Sequence, residues 1–361
     1  MNLTPERVTD VLRGVVDPNT GKDLVASRCV KNVKVAGSDV SLDVELGYPA
    51  ASQLDPIRSL VIAALKAAGA GNVSANVTMK IVAHAVQRGL KVLPNVKNIV
   101  AVSSGKGGVG KSTVAANLAL ALAAEGARVG MLDADIYGPS QPIMLGLSGR
   151  PDTVDGKLLE PMIGHGIQAI SIGVLIDADQ PMVWRGPMVT QALQQLLMQT
   201  HWQDVDYLIV DMPPGTGDIQ LTLSQQVPVT GAVVVTTPQD IALADAIKGL
   251  KMFEKVGVPI LGVVENMAIH VCRKCGHAEH VFGEGGAERM AKDYGVTVLG
   301  SLPLDIRIRE QADSGCPTVV ADPDGEIARA YKAIARKVAI AIADKAKDMS
   351  LKMPTIKVSH T

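Results

Sequence analysis

The sequence predicts an α/β protein, in which a small α+β domain precedes a mostly parallel, doubly wound sheet. Two patterns in the 361 residues lead to this prediction. From residue 98 onward, short and nearly continuous apolar runs alternate with helical patterns, as is typical of parallel strands covered on both faces. Before residue 90, apolar and polar residues alternate within the strand-like runs, which indicates half-buried strands. The length also suits two domains of ~100–200 residues each.

The front part of the chain is predicted to fold as an α+β unit of its own. Its helical and strand-like segments are separated by turn sequences, of which Asp17-Pro-Asn-Thr-Gly21 is the clearest. The predicted helices cover residues 4–15 and 54–68, and the predicted strands cover residues 30–36, 40–46 and 73–81. We expect this domain to span residues 1–90, followed by a linker over 91–97 that contains Pro94.

The main domain is expected over residues 98–349, followed by a polar tail over 350–361. Its predicted strands cover residues 99–103, 128–132, 168–172, 207–210, 232–236, 260–265 and 297–300. A long final helix is predicted over 325–347. Its apolar stripe lacks bulky Phe or Trp, so we expect this helix to pack on the core rather than on a membrane.

Charge and composition argue against several classes of protein. The chain has 35 basic and 36 acidic residues, which gives a formal charge of −1 and argues against a general nucleic-acid binder. The first 20 residues lack the apolar core of a signal peptide, and no apolar stretch approaches the ~20 residues that span a bilayer. We therefore expect a cytoplasmic protein that binds no nucleic acid and associates with no membrane stably.

A glycine-rich loop lies between the first predicted strand of the main domain and the next helix. The pattern G-x-x-x-x-G-K-[ST] is met by Gly105, Gly110, Lys111 and Ser112. In such a loop, backbone N–H groups cradle phosphate oxygens and the helix dipole adds positive potential. Lys111 is expected to reach the β/γ-phosphates and Ser112 to ligate Mg²⁺. This indicates a P-loop NTPase sheet. The expected nucleotide contacts are Gly105, Lys106, Gly107, Gly108, Val109, Gly110, Lys111, Ser112 and Thr113.

Acidic residues follow two of the predicted strands. Asp211 directly follows an apolar strand, as expected of a Walker B carboxylate that holds Mg²⁺ through water. Asp133 and Asp135 follow another strand and point to the same side of the chain, so one of them could orient or deprotonate the attacking water. Because open α/β sheets bind ligands at the carboxyl ends of their strands, we expect these acids to lie beside the phosphate loop.

Cys272 and Cys275 form a C-x-x-C followed by Gly276-His277. Two thiolates do not complete a four-ligand metal site, so the other ligands must come from elsewhere in the chain or from a second subunit. A two-fold dimer would supply four thiolates. The alternatives are a Zn²⁺ knuckle completed by His277 and His280, a redox pair, and two inert cysteines.

These motifs together resemble a known group of ATPases. Lys106 inside the loop makes it similar to the deviant Walker A loop of the ParA, MinD and nitrogenase-reductase group. The segments Asp133-Ala-Asp-Ile-Tyr-Gly-Pro-Ser140, Trp184-Arg-Gly-Pro187 and Val210-Asp-Met-Pro-Pro-Gly-Thr-Gly-Asp218 resemble its Mrp/ApbC branch, the iron–sulfur cluster carriers, over residues 95–345. Residues 1–90 resemble the iron–sulfur-assembly domain often fused in front of bacterial Mrp proteins. Ala50 and Ala51 stand where some relatives of that domain have a cysteine.

The resemblance implies roles for individual residues. Lys106 would contact the nucleotide of the partner subunit, Asp135 would activate water, and Asp133 would lie near the metal. Asn266 would read the edge of adenine, and the segment around Pro303 would pack against the base.

For the whole chain, the resemblance implies an ATPase that forms a homodimer. The dimer would hold a [4Fe–4S] cluster on Cys272 and Cys275 of both subunits and transfer it to apo iron–sulfur proteins, with cluster scaffolds as further partners. Three alternatives stay open from the sequence: a ParA/MinD-like positioning ATPase, a zinc-binding P-loop ATPase, and an electron-transfer ATPase. The last is disfavoured because the cluster cysteines of nitrogenase reductase lie far apart in sequence.

Overall fold

The computed structural model describes residues 3–84, 93–136, 138–154, 156–174 and 186–351, and in this last range the side chains of 186–187 and 346–351 are not described. Several predictions fall outside these residues. They concern Tyr137, Trp184, Arg185, part of the linker and nearly all of the tail.

The front unit has the predicted elements: α1 (Pro5–Leu12), β1 (Val30–Ala36), β2 (Asp39–Leu46), α2 (Leu54–Ala67) and β3 (Val73–Met79). Thr4 begins α1, because its Oγ1 accepts a hydrogen bond from the Arg7 N–H at 3.2 Å, and Pro5 occupies the first turn. In the three-stranded sheet, β2 pairs antiparallel with β1 and parallel with β3. Alternate residues of β2 are buried, as the strand period predicts.

The main domain contains the remaining elements. Its strands are β4 (Val96–Ser104), β5 (Val129–Asp133), β6 (Thr153–Val154), β7 (Leu158–Leu159), β8 (Met162–Gly164), β9 (Ile167–Ser171), β10 (Val205–Asp211), β11 (Gly231–Thr236), β12 (Ile260–Glu265), β13 (His270–Val271), β14 (Ala278–Glu279) and β15 (Val298–Ser301). Its helices are α3 (Lys111–Ala124), α4 (Gln141–Met144), α5 (Gly186–Gln199), α6 (Asp218–Gln226), α7 (Asp240–Lys255), α8 (Gly286–Tyr294), α9 (Ile306–Asp313), α10 (Thr318–Ala321) and α11 (Glu326–Leu351).

Eight strands form one sheet in the order β15-β12-β11-β4-β10-β5-β9-β8. All neighbouring pairs are parallel except β8 with β9, so the predicted doubly wound sheet is confirmed. The chain leaves β4 toward β5 on one side, whereas β11 lies on the other side. The carboxyl end of β4 is therefore at a topological switch point, where open α/β sheets bind ligands.

Helices cover both faces of this sheet. Val100 and Val102 of β4 pack into a core that includes α3 and α11, whereas Ile99 and Ala101 pack into a second core that includes α5 and α7. Alternate residues of one strand thus enter opposite cores, which explains why the strand is apolar throughout.

The final helix buries its apolar stripe, as predicted for core packing. The residues of this stripe are Ile327, Tyr331, Ile334, Val338 and Ile342. They pack in the same core as α3 and the front unit. Within the described ranges, no helix combines the length and the apolarity that crossing a membrane requires.

Candidate functional site

The phosphate loop connects the end of β4 to the start of α3. Two of its glycines are required by close approaches. A Cβ at Gly105 would collide with the backbone of Asp245 in α7. Gly110 has a φ of +81°, and a Cβ there would collide with the side-chain amide of Asn266. The glycine pattern therefore reflects packing around the loop as well as room for phosphate.

Lys111 is buried at the first turn of α3 and faces acids instead of phosphate. Its Nζ lies 2.5 Å from Oδ1 of Asp211 and 3.7 Å from Oδ2 of Asp135. The Ser112 hydroxyl is 3.2 Å from the same Nζ. The two acids thus balance the charge of the buried Lys111 ammonium group.

Asp133 and Asp211 end neighbouring strands and lie opposite each other in the β5–β10 register. Both carboxylates are fully buried. Burial, and then the charge of Asp211, raise the pKa of Asp133 to about 7. The carboxylates of Asp211 and Asp135 thus face Lys111, and the carboxyl of Asp133 lies beside Asp211. These oxygen atoms and the Ser112 hydroxyl fit Mg²⁺, which prefers oxygen ligands and usually binds through few carboxylates.

Two residues at this site were missed in the sequence. Gln141 donates from its backbone N–H to Asp133 at 3.1 Å and from its side-chain amide to Asp211 at 2.8 Å. Ser171, which ends β9, donates from its hydroxyl to Asp133 at 3.1 Å. Gln141 directly follows the segment 133–140, and only this position in the sequence could have suggested that Gln141 belongs to the site.

Lys106 lies on the outer side of the loop and is partly exposed. Its backbone carbonyl accepts a hydrogen bond from the Ser104 hydroxyl at 2.9 Å, which fixes the loop at this point. Its ammonium group contacts no acid and no hydrogen-bond acceptor among the described residues.

Asn266 directly follows β12 and lies against the phosphate loop. Its amide donates to the carbonyl of Val109 at 2.9 Å, and its backbone N–H donates to Thr236 at 2.7 Å. The neighbouring segment enters the same region, because the N–H of Leu302 bonds to the carbonyl of Glu265 at 2.8 Å. Pro303 follows it and is partly exposed. Asn266 and Pro303 are thus brought to one end of the sheet.

Cys272 and Cys275 lie in the turn of the hairpin formed by β13 and β14. The Cys272 N–H bonds to the carbonyl of His277, and the N–H of Gly276 bonds to the carbonyl of Cys272, both at 2.8 Å. Both thiols are free; Cys272 is partly exposed and Cys275 is exposed. Backbone N–H groups of Cys275 and Lys274 lower the pKa of the Cys272 thiol, which favours the thiolate that binds metal.

The single-chain zinc alternative has no assembled site. Nowhere in the described part of the chain do three or more His, Cys, Asp or Glu side chains converge as metal ligands would. His280 instead donates from Nδ1 to the carbonyl of Ala268 at 2.7 Å. Its other ring nitrogen lies 3.7 Å from Glu284.

The loop between β4 and α3, with acids at the ends of β5 and β10, defines a P-loop NTPase. More specifically, the chain belongs to the family of NUBPL iron-transfer P-loop NTPases, whose family model matches residues 95–339. A second family model, described as an iron-sulfur cluster assembly protein, matches residues 5–79.

Relatives of known description also show the family. The iron-sulfur cluster carrier protein of Haemophilus influenzae is 52% identical over 93% of this chain and 92% of its own length. That of Escherichia coli is 62% identical over 68% of this chain and 66% of its own length. The mouse iron-sulfur cluster transfer protein NUBPL is 50% identical over 70% of this chain and 81% of its own length.

Solved structures agree with the fold. A nucleotide-binding protein from Archaeoglobus fulgidus in complex with ADP is 37% identical, with a TM-score of 0.56 over 64% of this chain and 90% of that chain. The cell division ATPase MinD of Pyrococcus furiosus is 24% identical, with a TM-score of 0.51 over 67% of this chain and 98% of that chain. The latter likeness concerns the fold alone.

Proposed function

We propose that this chain is an ATP-hydrolysing carrier that binds a [4Fe–4S] cluster between two copies of itself and transfers it to apoproteins. The observation that carries the proposal is the free pair Cys272 and Cys275, which sits on a hairpin bonded to the nucleotide end of the sheet. Relatives named iron-sulfur cluster carrier protein support it. Its partners would be a second copy of the chain, apo iron–sulfur proteins and cluster scaffolds.

In the proposed hydrolysis, water attacks the γ-phosphate of ATP, and ADP and phosphate are released. Lys111 leaves Asp211 and binds the β/γ-phosphates. Ser112, Asp133 and Asp211 would hold Mg²⁺, the acids through water where needed, and the ion would supply positive charge at the phosphates. Asp135 lies beside Lys111 and would orient the attacking water.

At the base end, Asn266 would turn its amide from Val109 to adenine, with Pro303 against the ring. The cysteine hairpin is bonded to this same segment. The N–H of Ala268 donates to Leu302 at 2.9 Å, and Nδ1 of His270 donates to the carbonyl of Leu304 at 3.0 Å. A shift of this segment on nucleotide binding would therefore move the hairpin. The nucleotide state would then change how tightly the cysteines bind the cluster.

The ligand count and the side chain of Lys106 both support a dimer. A [4Fe–4S] cluster takes four thiolates, and each chain offers two on its hairpin. Two-fold symmetry brings identical pairs together. Lys106, with no acidic partner among the described residues of its own chain, would contact the nucleotide of the partner.

Anaerobic iron–sulfur reconstitution of the full chain tests the proposal. Wild type should take up about two irons per chain, with the absorbance of a [4Fe–4S] cluster. A Cys272→Ser, Cys275→Ser double variant should take up none. Cys316→Ser is the matched control, since this partly exposed free thiol lies outside the hairpin, and it should load like wild type. Equal iron in the double variant, or stoichiometric zinc in freshly purified wild type, would contradict the carrier function.

A further inference from the structure

We propose that Gln141 is a positioning residue for Asp211: it keeps this carboxylate oriented when Lys111 moves to the phosphates. The inference rests on the proposed nucleotide hydrolysis and adds a residue for which the sequence motifs provide no role.

The contacts of Gln141 join three parts of the site. Its Nε2 donates to Oδ2 of Asp211 at 2.8 Å and to the backbone carbonyl of Ser112 at 3.0 Å. Its backbone N–H donates to Oδ2 of Asp133 at 3.1 Å. One residue thus links the start of α3 to the acids that end β5 and β10. Gln141 is only 1% exposed, so the three bonds are shielded from water.

The chemistry of these partners fixes the orientation of the amide. A carboxylate oxygen and a backbone carbonyl are both acceptors, so the NH₂ group must face them. Both hydrogens of the NH₂ group then take part in hydrogen bonds. The remaining atom, Oε1, is buried and has no hydrogen-bond donor within the described part of the chain. The amide of Gln141 thus contributes two donors to the site, one of them to the carboxylate of Asp211.

The two oxygens of Asp211 have different partners. Oδ1 receives Lys111 at 2.5 Å, and Oδ2 receives Gln141 at 2.8 Å. When Lys111 turns to the phosphates, Oδ1 becomes available for Mg²⁺ or its water, while the bond from Gln141 still fixes the carboxylate plane. Without that bond, the carboxylate that Lys111 has left could rotate. The loss matters because a hydrogen bond to a charged group is among the stronger hydrogen bonds in a protein.

The test is a Gln141→Met variant of the full chain, which keeps the length of the side chain and removes the donor. Two quantities are measured: the Mg²⁺ dependence of ATP hydrolysis and the Mg²⁺ dependence of binding of a fluorescent ADP analogue. We expect kcat to fall about tenfold or more, and the half-saturating Mg²⁺ concentration to rise about tenfold. Affinity for the analogue without Mg²⁺ should stay within about twofold of wild type, because Lys111 and the loop are unchanged.

Gln220→Met is the matched control. Gln220 is equally buried and also has an unpaired Oε1, but it donates to Ser103 and not to an acid of the site. Its Mg²⁺ dependence should equal that of wild type. Gln141→Asn, which keeps the amide but is too short to reach Asp211, should show the same loss as Gln141→Met.

The inference is overturned if either Gln141 variant retains wild-type kcat and Mg²⁺ dependence, or if Gln220→Met shows the same Mg²⁺ defect. Failure of the proposed function looks different: wild type itself would then not hydrolyse ATP. In that case the Mg²⁺ dependence of analogue binding still decides the role of Gln141.

Discussion

At the residue scale, Asp133 is a buried acid whose protonation depends on the fold. Its carboxyl is fully buried and accepts bonds from Asp135, Gln141 and Ser171. Even so, burial and Asp211 raise its pKa to about 7. The ligand-free fold therefore retains a proton that the unfolded chain releases near pH 4.

This pKa has a consequence for stability. Between pH 4 and 7 the folded state binds more protons than the unfolded state, so the contribution of Asp133 to the free energy of unfolding decreases as the pH rises to 7. From pH 5.5 to 8, wild type should lose up to about 2 kcal/mol relative to Asp133→Asn. Denaturant titrations of both proteins without nucleotide measure this difference, in which any pH-independent cost of the substitution cancels. A difference that does not vary with pH would contradict the raised pKa.

Lys106 allows a second prediction at this scale. Lys106→Ala should lower ATP turnover about tenfold or more, because in the proposed dimer its charge would act on transition-state phosphate oxygens of the nucleotide in the partner subunit. Nucleotide affinity of the isolated chain should change little. Lys66→Ala, at an exposed position in α2, is the control. Turnover is measured by phosphate release over a range of protein concentrations. Turnover equal to that of the control variant would exclude a cross-subunit role.

Motif reading predicts residues whose neighbours are close in sequence. Gly110, Lys111 and Ser112 fall within one pattern, and Asp211 directly follows its strand. The bond from Gln141 to Asp211 joins positions 70 residues apart. The bond from Asn266 to Val109 joins positions 157 apart. Such contacts depend on how loops pack at the sheet end, and no local period encodes them.

At the scale of elements, the seven parallel strands were predicted to within a few residues, because a strand buried on both faces is a visible apolar run. The sequence does not predict strands of two or three residues, because so few positions cannot show an alternation of apolar and polar side chains. These include β8 at the sheet edge and the β13–β14 hairpin, which positions the cysteines.

The anchoring of this hairpin can be tested at His270. His270→Ala removes the bond to Leu304 and should increase hydrogen exchange over residues 270–279, because local opening becomes easier. Iron loading should still occur, but cluster loss to a chelator should be several-fold faster. His201→Ala is the control, because His201 pairs with Glu160 elsewhere in the molecule. Unchanged exchange and unchanged cluster loss would show that the hairpin does not depend on this bond.

At the scale of the whole molecule, the front unit is docked on the far end of the phosphate-loop helix. Glu125, which directly follows α3 and is fully buried, accepts bonds from the hydroxyl of Ser52 at 2.8 Å and from Arg336 at 2.6 Å. Ser52 belongs to the front unit and Arg336 to α11. Because these three residues lie far apart in the chain, the sequence predicts both domains but does not predict the contact between them.

Docking of the front unit can be measured through this cluster. Glu125→Ala leaves Arg336 mostly buried without its carboxylate and should lower the free energy of unfolding by about 3 kcal/mol. Lys22→Ala removes an exposed pair with Asp344 across the same interface and should cost at most about 1 kcal/mol. Equilibrium denaturation compares the two. Equal costs would mean that the buried cluster does not hold the domains together.

The central claim is that one cluster is shared by two chains. Anaerobic native mass spectrometry of reconstituted, mixed dimers tests it most directly, with wild-type chains and differently tagged Cys272→Ser, Cys275→Ser chains combined before loading. Wild-type dimers should have the added mass of one [4Fe–4S] cluster. Mixed dimers, with only two hairpin thiols, should have none. A full cluster on mixed dimers or on monomers would contradict the claim.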